Sequence, residues 1–112
     1  MQYLALLFLT LAALLGAYLI SFIFEKKNTP KGVVLLHGFI AALGLICLAI
    51  YAFLHASVLF IAVTIFIFAV LGGAYLFFRD ITGKYLPIWL AVGHGTVAVI
   101  GFVFFVTYLF FH

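Results

Sequence analysis

The chain has 112 residues, of which 71% are hydrophobic and 6% charged, with a formal net charge of +3. So apolar a sequence cannot clothe a water-soluble surface, which excludes an ordinary soluble domain. Five basic and two acidic side chains are too few for a nucleic-acid footprint, so the environment to expect is the lipid bilayer.

A bilayer core needs about 20 apolar residues per helix. Four stretches meet that need: Tyr3–Phe24, Val33–Leu54, Val58–Phe78 and about Leu86–Phe111. The first has no basic segment before it and is too long for the apolar part of a cleaved leader, so it reads as a span. Pro30 and Pro87 stand where spans two and four begin, a place a helix tolerates proline. Cys47, the single cysteine, falls in mid-span and reads as a small buried apolar residue. Glu25, Lys26, Lys27 and Lys31 lie between spans one and two; Arg79, Asp80 and Lys84 lie between spans three and four. The turn around Ala56 and Ser57 carries no charge. Basic loops stay on the cytoplasmic side, so both charged loops are expected inside and both termini and the middle turn outside. The cations then act as topology signals that can also touch anionic lipid.

Offset by 57 positions without gaps, the sequence matches itself at 16 of 55 pairs, against roughly five for unrelated sequence of this composition. Gly16-Ala17-Tyr18-Leu19 recurs as Gly73-Ala74-Tyr75-Leu76, and Lys27, Pro30, His37-Gly38, Ala41, Gly44, Tyr51, Phe53 and His55 all find their like. Every histidine and both prolines fall into register. Residues 1–57 and 58–112 therefore read as two copies of one helical hairpin. The expected fold is an all-α membrane protein, a four-helix bundle of two tandem parallel hairpin repeats. Such copies are related by a pseudo-two-fold axis along the membrane normal, with equivalent residues at equal depth. Arg79 and Asp80 interrupt the match, so the loops differ more than the spans.

On span two, His37, Ala41, Gly44, Leu48, Tyr51 and His55 share one narrow stripe at 3.6 residues per turn. Span four repeats it with His94, Ala98, Gly101, Phe105, Tyr108 and His112. Stripes that face each other set His37 against His94 and His55 against His112, the two pairs roughly 27 Å apart. Intramembrane ionisable side chains are functional by default and need a named partner. Two opposed neutral imidazoles inside a bundle suit the axial positions of haem iron.

The glycines can serve such a plate-shaped cofactor. Gly38 and Gly44 flank His37, Gly95 and Gly101 flank His94, and Gly16 and Gly73 lie at the same depth in spans one and three, where they can make room along the ring edge. Lys27, Lys31, Arg79 and Lys84 lie near that level and can meet haem propionates; no basic side chain lies near the outer pair. Plainer readings stand beside these. A histidine in a membrane helix can simply bond a neighbouring backbone carbonyl. His55 and His112, at the membrane edge, can be wet interface residues, and Tyr51 and Tyr108 interface-belt residues or partners of a cofactor or quinone. The glycines can be small-residue helix contacts. Zinc or copper is a runner-up ligand for four histidines, but the pairs lie a membrane apart with no added cysteine or carboxylate.

In these stripes the sequence resembles the membrane-embedded b-type cytochromes, among them the cytochrome b subunits of quinol-oxidising complexes and small four-helix cytochromes. The resemblance covers spans two and four: His37, Gly38, Gly44 and His55 against His94, Gly95, Gly101 and His112. It implies histidine pairs that ligate haem b, one haem or two and most simply two, with glycines making room. His37 and His55 are about a turn further apart than the histidines on one helix of cytochrome b subunits, which favours the His37/His94 site. The expected role is transmembrane electron transfer, with a quinone or a protein redox partner, by an electron carrier or redox-complex subunit sooner than by a self-contained enzyme. The alternatives are a haem-free accessory subunit of a larger membrane complex and, behind it, a small transporter.

Overall fold

The computed structural model describes residues 1–112 and holds four α-helices and no strand. Helix α1 spans Gln2–Phe24, α2 Lys31–His55, α3 Phe60–Ile81 and α4 Ile88–Phe111, with one 3₁₀ turn at Ser57–Leu59 leading into α3. All four are long and apolar enough to cross a membrane, where only helices or closed barrels satisfy every backbone group. The four lie in a bundle 42 Å long and 23 by 19 Å across.

The helix ends follow from their residues. Pro30 and Pro87 precede α2 and α4 in extended backbone. They have no N–H to satisfy, and their carbonyls accept the first helical bonds, from Val33 and Val34 and from Leu90 and Ala91. At the end of α1, the Lys26 and Lys27 amides donate to the Ile23 and Phe22 carbonyls. At the end of α3, 57 residues on, Gly83 and Lys84 donate likewise to Asp80 and Arg79. Both are Schellman caps, whose third member enters the left-handed region. Gly83 does so freely at φ 72°; Lys26 does so at φ 56° against its own Cβ.

Helix α1 packs on α2 and α3 on α4, while α1 also meets α4 and α2 meets α3. The ring order α1-α2-α3-α4 sets α2 and α4 on one diagonal. The contiguous core lies towards the uncharged turn, where Leu48, Leu59, Ala62 and Phe105 are wholly buried among residues of all four helices. Towards the charged loops the same stripe is less enclosed: Leu48 and Phe105 are sealed, while Ala41, Ala98, His37 and His94 are only half-buried.

The charged loops interlock across the hairpins. Asp80 accepts from the Thr29 hydroxyl and from the Lys31 ammonium, each at 2.5 Å. Thr29 is 6% exposed, the one buried polar side chain. Residues 22 and 23, which match Arg79 and Asp80 at the 57-residue offset, are Phe22 and Ile23, so the clasp exists on one side of the bundle only.

Candidate functional site

His37 of α2 and His94 of α4 meet across the diagonal, their ring centroids 6.3 Å apart and their planes at 86°. Each ring is held by its own hairpin. His37 Nδ1 lies 2.8 Å from the Ala12 carbonyl of α1, and His94 Nδ1 lies 2.7 Å from the Ala69 carbonyl of α3. A carbonyl only accepts, so Nδ1 carries a proton in both rings, and in the neutral imidazole Nε2 then holds a lone pair. The carbonyl bond of the plainer reading is therefore present, and it engages one nitrogen of each ring. Metal-ligating histidines almost always donate their other N–H in this way, which fixes tautomer and ring orientation.

Each carbonyl is reachable because of a glycine one turn on. Gly16 follows Ala12 by four residues and Gly73 follows Ala69 by four, so no Cβ shields the carbonyl from the incoming ring. A Cβ on Gly16 would stand 3.1 Å from His37 Cε1, and one on Gly73 only 2.8 Å from His94 Cε1. The space expected along a cofactor edge is thus taken by the imidazoles themselves. Ala12 and Ala69 are the site residues that sequence reading missed. Their signal was the recurring spacing Ala-x-x-x-Gly with a histidine 21 residues after the glycine.

The other glycines divide. Gly44 faces α1, where an added Cβ would come within 2.9 Å of the Leu9 side chain and 3.1 Å of its backbone nitrogen. Gly101 faces Ile65 and Phe66 of α3 in the same manner. These two are close helix contacts, the small-residue packing common between membrane helices. Gly38 and Gly95 have open space where a Cβ would stand.

The outer histidines are not brought together as the inner ones are. Both are exposed. His55 lies on Tyr51 with centroids 5.6 Å apart, and His112 stacks on Tyr108 at 4.2 Å, each a pair one turn apart on its own helix. Among the cations expected near the inner pair, Lys27 is paired with Glu25 and Lys31 with Asp80. Arg79 Nε donates to the Tyr85 carbonyl at 2.6 Å, and Lys84 lies over the Phe78 ring.

The donor set discriminates among ligands. Nowhere do three or more histidine, cysteine or acidic side chains cluster, so a tetrahedral zinc centre has no ligands here. Two imidazoles alone match a metal whose remaining positions are filled by its own macrocycle. His37 and His94 are the residues that could hold such a group, each through the ring nitrogen its carbonyl bond leaves over. Comparison of the chain with protein families, with curated proteins and with solved structures found no match.

Proposed function

We propose that this protein is a membrane-embedded b-type cytochrome that carries electrons across or within the bilayer, with His37 and His94 as the axial ligands of one haem. The observation that supports this most is the prepared pair of imidazoles: opposed, 6.3 Å apart, each with Nδ1 tied to a backbone carbonyl and Nε2 free. A haem held by both residues would supply reversible one-electron chemistry there. Ala12 and Ala69 hold the tautomer that a ligand needs; Gly16 and Gly73 set how far each ring can enter the bundle. The outer pair, His55 and His112, stands apart on tyrosines, so the reading is of one haem per chain.

The same bonds and glycine clearances occur 57 residues apart in the two hairpins. That supports a duplicated hairpin with a pseudo-two-fold axis passing between the inner histidines. The charged loops lie on the cytoplasmic side under the positive-inside rule, which sets the haem nearer that face. A quinone or a protein redox partner completes the electron path.

A reduced-minus-oxidised visible spectrum with pyridine-haemochrome quantification tests the proposal. One b-type haem per chain is expected in the wild type and in His55→Ala and His112→Ala, and none in His37→Ala or His94→Ala. A colourless protein from haem-replete cells would leave the accessory-subunit reading in its place.

A further inference from the structure

Between the two charged loops opens a groove of about 690 Å³. Lys26, Lys27, Lys31 and Lys84 line it, against one acid, Asp80. Asp80 is already engaged by Thr29 and Lys31, and Lys27 has Glu25. Lys26 and Lys84 have no carboxylate partner. Their charges repel one another across the groove unless an anion joins them. Apolar side chains, Ile23 and Leu86 among them, also line the groove. Tyr85, 66% exposed, lines it too and is an aromatic type that sits at headgroup depth.

Lys26 adds an independent observation. It occupies the left-handed position that Gly83 fills at the 57-residue offset. Glycine serves that turn better on backbone grounds, so the turn itself does not call for a lysine. Strain kept at such a point is a sign of function.

We infer that this groove is a binding site for the phosphate headgroup of an anionic phospholipid, with Lys26 and Lys84 as its principal cations. A phosphate on a lipid fits better than free phosphate because the wall is half apolar and the flanking helices expose aliphatic and aromatic side chains, which suit acyl chains. The inference is independent of the haem proposal and applies to the protein with or without cofactor.

Native mass spectrometry of the purified full chain in detergent provides the test, with phosphatidylglycerol and phosphatidylcholine of identical acyl chains as probes. One phosphatidylglycerol per chain should be retained at least ten-fold more strongly than phosphatidylcholine. Lys26→Gly and Lys84→Gln should each weaken that retention several-fold. Lys26→Gly relieves the backbone and should keep or raise the melting temperature, so a loss of lipid there is not a loss of fold. Equal retention of the two lipids, or retention unchanged in both variants, would overturn the inference. Full competition by millimolar inorganic phosphate would overturn the lipid assignment, and so would displacement of the lipid on haem loading, which would give the groove to the propionates.

Discussion

The two ends of this bundle solve different problems with the same stripe of residues. Towards the uncharged turn, Leu48 and Phe105 are fully buried and join Leu9, Leu59 and Phe66 in one core. Towards the charged loops, about three turns of helix away, the stripe offers His37 and His94, half-buried and tied to carbonyls. One end is closed by packing; the other is arranged by hydrogen bonds and left accessible. A helix pair can therefore be rigidly assembled at one level and hold reactive groups at another, because the packed end fixes the axes on which the histidines stand.

The sharpest way to break the contrast is at the histidines. On the haem proposal, His37→Ala or His94→Ala should each abolish haem binding while leaving the helical circular dichroism of the chain unchanged. Phe105→Ala acts on the other end. Losing a wholly buried aromatic costs about 3–5 kcal/mol in well-packed cores, and thermal unfolding in detergent should report a loss of that order. Gly44→Ala should follow, at about 1–3 kcal/mol, because the added methyl meets the α1 backbone at Leu9. Gly73→Ala sharpens the comparison, since its methyl meets only the tip of the His94 ring. It should leave the melting temperature near wild type yet displace the ring from Ala69, seen as weaker haem retention and a shifted potential, with Gly16→Ala milder. Thr29→Val removes a buried hydrogen bond to Asp80 and should cost about 1–2 kcal/mol. Gly38→Ala, with open space around it, should stay within about 0.5 kcal/mol and serves as the silent control.

The spans were legible because lipid imposes a simple rule, an apolar run of fixed length. Pro30 and Pro87 marked helix starts for equally local reasons. Helical periodicity put His37 and His94 on stripes that the ring order of helices turns towards each other. The carbonyl partners were not legible, because every residue carries a carbonyl and only tertiary packing selects one. The glycines were read for their freedom to admit a neighbour, but which neighbour depended on helix depth: a ring at Gly16 and Gly73, a helix at Gly44 and Gly101. The outer histidines share the inner pair's register, yet they stand at helix ends, where a tyrosine one turn away is the nearer partner. Arg79 and Asp80 were seen as breaks in the match; that Asp80 reaches Thr29 and Lys31 of the other hairpin was beyond any local pattern.

The bond from each inner histidine to a carbonyl runs within one hairpin, never between the two. During synthesis, then, each hairpin can leave the insertion machinery with its imidazole already aimed, before the other exists. On the proposed reading a haem would join two halves that the core around Leu48 and Phe105 already holds together, so two separately expressed hairpins should pair without cofactor and bind it only as a pair.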